Sequence, residues 1–281
     1  MNTTPPPGPT PPPMLIDTHC HLTFKDLAGQ TRDVLKRAAQ AGVTRVLTVS
    51  ETVADARRGL ELVGEFPQIC LIAGIHPHHA AKCQKDDLLA LGALLDESEP
   101  GGVPRNRIVA VGETGLDFHY DFAPPAEQEQ IFRAHLEIAA ERDMPVVLHA
   151  RKAERRVADI LREYPPLLGR FVFHCYSADV ETARYILDLG GWLSFTGVVT
   201  FQKAEPIRAS ARYAPLERLL IETDAPYLSP EPVRKIFPNE PAFVAHTARF
   251  LANLRGEPFD RFAAATTANA ITFFRLPEVH G

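Results

Sequence analysis

Short β-branched apolar runs alternate with longer amphipathic stretches along almost the whole of this chain, and few architectures accept that rhythm. The runs Met14–Asp17, Arg45–Val49, Cys70–Ala73, Ile108–Val111, Val146–Leu148, Phe171–Phe173, Trp192–Phe195 and Leu219–Ile221 read as strands. Between them the spacing predicts helices over Thr31–Ala41, Val53–Glu65, Asp87–Asp96, Ala126–Arg142, Glu154–Tyr164, Val180–Leu189, Ala204–Arg212 and Pro241–Leu254, with a closing helix over Asp260–Phe274. About eight βα units suit a (β/α)₈ TIM barrel, which typically takes roughly 250 residues; this chain has 281. A doubly wound open sheet is the rival, because alternation does not reveal whether the sheet closes.

Charge narrows the function classes. Thirty Lys and Arg against 35 Asp and Glu give a net charge of -5, which argues against coating nucleic acid or an anionic membrane through bulk charge. Any polyanion must be met by a local site. The four cysteines, Cys20, Cys70, Cys83 and Cys175, form neither a disulfide framework nor a C-x-x-C pair, so a reduced compartment, the cytoplasm, is expected. Residues 1–13 hold seven of the 25 prolines, with no basic residue and no apolar core for a signal peptide. They read as a disordered Pro-rich tail ahead of one TIM-barrel domain over 14–281, and Glu99–Arg107 reads as a surface loop. No apolar run approaches the roughly 18 to 20 residues of a membrane span.

The polar residues fall in a pattern. After Leu15-Ile16 comes Asp17-Thr18-His19-Cys20-His21, where two histidines two apart on an extended strand face the same way and can reach one metal. The next strand ends repeat the theme: His76 in GIHP, Glu113 in GETGLD, His149 in LHAR, His174 in HCYS and Asp224 in ETDAPYL. In a TIM barrel the C-terminal strand ends converge on one active site, so these seven residues would rim one mouth if the sheet closes. Independent structural histidines have no reason to recur so regularly.

Imidazole with carboxylate and no required thiolate suits Zn²⁺ or Mn²⁺, and the carboxylates leave Mg²⁺ open. Six candidate ligands exceed what one open catalytic ion takes, which points to two divalent ions sharing a carboxylate. Cys20, between two histidines of one face, should point the other way and pack. His78, His79 and His119 read as solvated loop residues near the mouth, and His135, His246 and His280 as structural or surface residues.

DTHCHL, GIHP, GETGLD, LHAR, HCYS and ETDAPYL, in this order, resemble the TatD family of metal-dependent deoxyribonucleases within the amidohydrolase-like TIM barrels. The resemblance runs from Ile16 to about Phe274 and includes PNEP at Pro238–Pro241 and TTANAITFF at Thr266–Phe274. Any one motif alone is weak; the ordered set is specific. The resemblance implies that His19, His21 and Asp224 hold one ion, that His149 and His174 hold a second, and that Glu113 bridges them. Glu113 stands where many related amidohydrolases carry a carbamylated lysine. The family cleaves DNA, often from the 3′ end of single strands, with Mg²⁺ or Mn²⁺, so DNA ends are the implied partner and no obligate protein partner is implied. Asp224 would act as general base, and His76 as a phosphate or hydrogen-bond contact in a rigid His-Pro turn. Arg151, Arg234 and Lys235 would bind flanking phosphates. The chain departs from the family at Ala150 and in Val233-Arg234-Lys235-Ile236-Phe237, where a glycine-containing basic turn is usual.

Two alternatives remain open at the level of residues. The same metal pair would serve a hydrolase acting on a phosphomonoester, amide or lactone. A non-catalytic metal-binding barrel is the other, and the complete ligand set speaks against it.

Overall fold

Strands buried on both faces must be apolar on both, and the eight apolar runs of this chain fold accordingly. The computed structural model describes residues 14–96 and 107–276. The predicted Pro-rich tail, the predicted loop up to Asn106, and His280 lie outside them. Eight strands are hydrogen-bonded in sequence order, all parallel: β1 Leu15–Cys20, β2 Val43–Val49, β3 Ile69–Ala73, β4 Ile108–Asp117, β5 Val146–Arg151, β6 Phe171–Phe173, β7 Trp192–Phe195 and β8 Leu219–Ile221. The helices are α1 Thr31–Gln40, α2 Val53–Glu65, α3 Lys85–Asp96, α4 Pro125–Glu141, α5 Glu154–Leu161, α6 Val180–Asp188, α7 Glu205–Tyr213, α8 Val244–Arg255 and α9 Phe259–Phe274. The order is that of a TIM barrel, and the doubly wound alternative falls.

Alternation along the strands separates two apolar layers. Ile16, Leu47, Ile72, Ala110, Val147, Val172, Trp192 and Leu220 belong to one cluster, and because it draws on every strand it fills the barrel. Phe273 and Phe274 of α9 join that cluster and cap it. Their neighbours in sequence, such as Leu71, Leu148, Phe171, Phe173, Leu193 and Leu219, pack outward with Val34, Leu60, Phe132, Val157 and Ile186 of the surrounding helices. Cys20 packs in that outer layer, as its place between two inward histidines requires.

Three strands outrun the sequence expectation at their C-terminal ends, β1 reaching Cys20 rather than Asp17. β4 reaches Asp117 rather than Val111, and β5 reaches Arg151 rather than Leu148. Apart from Leu116 and Ala150, the residues added to β4 and β5 are Gly, Glu, Thr, Asp, His and Arg, which leave little apolar signal. Gly115, at φ +138, makes the extension possible: a Cβ there would stand 2.1 Å from the carbonyl oxygen of His149.

The seam between β8 and β1 closes where the candidate residues begin. Asp224 donates its backbone N–H to His19 O at 2.9 Å, and His21 donates to Ala225 O at 2.8 Å. The buried Asp17 carboxylate accepts from the backbone N–H of Thr223 at 2.8 Å and from its hydroxyl at 2.6 Å. Thr18 Oγ1 donates to Ile221 O at 3.0 Å. Asp17→Ala strands two buried donors across the seam, at about 1–3 kcal/mol each. We expect a loss of about 3 kcal/mol or more in denaturant unfolding; an unchanged midpoint and slope would show that backbone pairing alone closes the barrel.

Candidate active site

The C-terminal strand ends surround a cavity of about 670 Å³ lined by His21, His76, Glu113, His149, His174 and Asp224, among others. The buried Glu113 carboxylate is its centre. One oxygen, Oε2, lies 3.2 Å from His19 Nε2 and 4.0 Å from His21 Nε2. The other, Oε1, lies 2.6 Å from His174 Nε2 and 2.7 Å from His149 Nδ1. Asp224 Oδ1 completes the first group, 3.5 Å from His21 Nε2 and 3.8 Å from His19 Nε2. The structure therefore gathers all six residues expected from the sequence and divides them between the two oxygens of one carboxylate.

Whether the donors suit a metal can be tested on unspent lone pairs. Both ring nitrogens of His19, Nδ1 of His21 and Nδ1 of His174 are buried without a hydrogen-bond partner. Buried polar atoms are ordinarily paired, so the unpartnered His19 Nε2, 3.2 Å from the Glu113 carboxylate, fits cation binding, whereas His21 and His174 approach Glu113 through Nε2. Two sets bring ligand atoms within 4.8 Å of one another: His19, His21 and Glu113, and Glu113, His149 and His174.

A second ring of carboxylates, which the sequence reading did not assign, orients the imidazoles. Asp117 Oδ2 is 2.9 Å from His149 Nε2 and 2.9 Å from His78 Nε2, so the far nitrogen of His149 is held while Nδ1 faces Glu113. Glu222 accepts from Ser194 Oγ at 2.6 Å and lies 3.5 Å from His174 Nδ1. His78 is thus part of this network rather than a solvated loop residue. Its signal was present in GIHPHH and GETGLD, where a second His and a second acid follow each candidate. His79 pairs with Glu51 at 3.3 Å and His119 is exposed. His135 is structural as expected, accepting from the backbone N–H of Ile75 at 3.0 Å and so bracing the turn to His76. His246 does not line the cavity.

His76 Nδ1 accepts from the backbone N–H of His78 at 3.1 Å, which places its proton on Nε2, toward the cavity. Burial pushes His76 down to about 4, so it is a neutral donor at pH 7. Arg151 lines the cavity with its guanidinium 4.8 Å from the centroid of Tyr120. Arg234 and Lys235 do not line it; both are exposed, and Arg234 lies 3.8 Å over the ring of Phe201. The PNEP segment acts through Asn239, which donates its amide to Thr223 O at 3.0 Å and pins the turn carrying Asp224, a residue at φ +56.

Burial opposes ionisation of Glu113, but His174, His76 and His19 hold its carboxyl well below the usual range. Asp224 follows the same logic: burial raises it, and the His21 hydrogen bond with the charges of His19 and His174 brings it below normal. Burial works against protonation of His149 and His174, yet Asp117 and Glu113 raise the former, and Glu113 and Glu222 the latter.

A parallel barrel with histidines and carboxylates gathered at its C-terminal mouth defines the metal-dependent hydrolase class. The model of the TatD related DNase family matches residues 16–275. The chain is 38% identical over 266 residues to the uncharacterized metal-dependent hydrolase YcfH of Escherichia coli, covering 93% of this chain and 96% of that one. It is 34% identical over 268 residues to the 3′-5′ ssDNA/RNA exonuclease TatD of Salmonella typhimurium, covering 93% and 99%. The crystal structure of YjjV, a TatD homologue from Escherichia coli, superposes with a TM-score of 0.86 at 31% identity over 94% of this chain and 98% of that one. The chain belongs to the TatD family and is a metal-dependent hydrolase. No helix among the described residues is long and apolar enough to cross a membrane.

Imidazole ligands must shed their protons to bind a metal, and His21, His149 and His174 keep theirs above the ordinary imidazole range. Metal affinity should therefore fall as pH drops through and below that range. Isothermal titration with Mn²⁺ is expected to give tighter binding at about pH 8 than at about pH 6, with net proton release. Equal affinities would remove these histidines from the ligand set.

Proposed function

We propose that the protein is a divalent-metal-dependent deoxyribonuclease of the cytoplasm, hydrolysing phosphodiester bonds from the 3′ end of single strands. The observation that carries it is the division of Glu113, with one oxygen toward His19 and the other toward His149 and His174. In this reading His19, His21 and Asp224 hold one ion, His149 and His174 hold a second, and Glu113 bridges. Divalent cations such as Mg²⁺, Mn²⁺ or Zn²⁺, when bound, supply the positive charge an anionic diester needs and a water acidic enough to attack at neutral pH. The similarity to proteins named 3′-5′ ssDNA/RNA exonucleases supports a nucleic-acid strand as substrate.

The chain's own residues do the rest. Asp224, kept ionised by its histidine neighbours, accepts the proton of the attacking water. His76, neutral with Nε2–H toward the cavity, donates to a phosphate oxygen. Arg151 at the rim binds the next phosphate along the strand, and Arg234 with Lys235 meet phosphates beyond the mouth. Second-ring Asp117 and Glu222 fix the imidazoles, so that the site needs little rearrangement when substrate arrives.

End-labelled single- and double-stranded oligonucleotides, digested with a panel of divalent ions, test the reading. We expect nucleotides to be released from the 3′ end of the single strand and activity to vanish with chelator. Turnover only of p-nitrophenyl phosphate, an amide or a lactone would assign another hydrolase class. Glu113→Ala should remove metal from both groups by elemental analysis, and an active variant keeping about two ions per chain would sink the bridge. Asp224→Asn should lower kcat by about 10²-fold or more with KM within a few fold, because the amide can coordinate but cannot take a proton. Parallel losses in kcat and substrate binding would make Asp224 a builder of the site rather than its base.

A further inference from the structure

The mouth carries more exposed aromatic surface than the chemistry of its floor uses. Tyr227 is 50% exposed, Tyr120 43% and Phe122 61%. Phe24, half-buried, stacks on His21 with centroids 4.5 Å apart and meets Tyr227 edge-on at 6.4 Å. Tyr120 stands edge-on to His78 at 5.6 Å and tilted against Phe122 at 5.5 Å, with the Arg151 guanidinium over its ring. Phe24, Tyr120, Arg151 and Tyr227 all line the cavity that Glu113 centres. The first group follows β1 and β8, neighbours at the seam, and the second comes from the loop after β4 and from Arg151 at the end of β5, about half the barrel away. A single exposed ring is ordinary, but two groups facing each other across one cavity mark a binding rim.

The chemistry of that rim selects an occupant. A strand threaded over Glu113 must send one base to each side of the reacting diester. Aromatic rings stack bases irrespective of sequence, because every base has a π face. A guanidinium lying on a tyrosine offers a second flat, cationic plane for the same purpose. A base inside a duplex has both faces covered by its neighbours, so only an unpaired base can use such platforms.

We propose that Phe24 with Tyr227, and Tyr120 with Arg151, form two stacking subsites for the unpaired bases on either side of the phosphodiester above Glu113. The inference deepens the nuclease reading and rests on it. It makes single-strand preference a property of the cavity walls, independent of the hydrolytic floor. Base identity should matter little, since aromatic stacking is tolerant of sequence.

Removing rings and removing bases, separately and together, tests the subsites. Wild type, Tyr227→Ala, Tyr227→Phe and Tyr120→Leu are assayed with the divalent ion that activates wild type. The substrates are a single strand and its twin, in which the two residues flanking the cleaved bond are abasic while every phosphate is kept. On the intact strand Tyr227→Ala and Tyr120→Leu should raise KM roughly 10-fold, within the range measured for base–aromatic stacking. Tyr227→Phe, which keeps the ring, should stay within about twofold. Abasic substitution at both positions should raise the wild-type KM by about the product of the two ring losses, on the order of 100-fold, and ring loss should add little further on the abasic strand, because each ring and its base belong to one interaction. Equal wild-type KM for the two strands, or ring and base losses that multiply independently, overturns the subsites and leaves the nuclease reading standing. Failure of wild type to cleave either strand removes the nuclease reading and this inference together.

Discussion

A parallel barrel exists only if its last strand finds its first, and in this chain that meeting is made through the Asp17 carboxylate as much as through the backbone. Asp17 takes both donors of Thr223, and the same turn hands the Asp224 N–H to the carbonyl of His19. Burial pushes Asp17 up to about 8 against these hydrogen bonds, so the seam holds a group whose ionisation the interior resists. The consequence is geometric. His19, His21 and Asp224 come from opposite ends of the sequence, and they reach one point because the interactions that close the sheet lie directly beneath them. Closing the fold and assembling half of the site are one event.

The other half depends on a buried charge that needs company. A carboxylate as enclosed as Glu113 is costly unless it is paired and hydrogen-bonded. Imidazoles surround it, and these are themselves steadied from behind by Asp117 and Glu222. Such a lattice alternates negative and potentially positive groups outward from the centre, and each layer fixes the orientation of the one inside it. The arrangement explains why so many polar side chains occupy the interior end of an apolar barrel: most are satisfied by one another, while His19 Nε2, beside Glu113, has no hydrogen-bond partner and suits a cation.

Strand number, helix order and the six central residues were legible in the sequence because each leaves a periodic trace. Apolar runs announce strands, and a His, Glu or Asp where each run stops announces the mouth. What escaped was aperiodic. The extensions of β4 through Gly115 and of β5 through His149 carry only Leu116 and Ala150 as apolar signal. Asp117 and Glu222 were visible as acids in GETGLD and ETD, but only the packing of strands shows that they stand behind imidazoles. His78 was read as solvated because a loop histidine usually is; its partner Asp117 is 39 residues away in sequence. Arg234 and Lys235, expected from the resemblance to meet phosphates, do not line the cavity, and Arg234 lies over the ring of Phe201.

Floor and wall answer to different constraints. The floor is built on strand ends, whose positions the closed sheet dictates, so its six central histidines and carboxylates stand out in the sequence where the apolar runs stop. The walls are loops, where Phe24, Tyr120 and Tyr227 sit free of any strand register. Loop side chains can change without disturbing closure, whereas a change at Asp17 or Glu113 reaches the core. A hydrolytic centre that activates water for many esters and amides therefore gains its substrate from residues the barrel does not determine. In this chain those residues are flat and aromatic, with the Arg151 guanidinium over the Tyr120 ring, and under the proposed stacking subsites that character, more than the metal ligands, would set a nucleic-acid strand apart from other anionic esters.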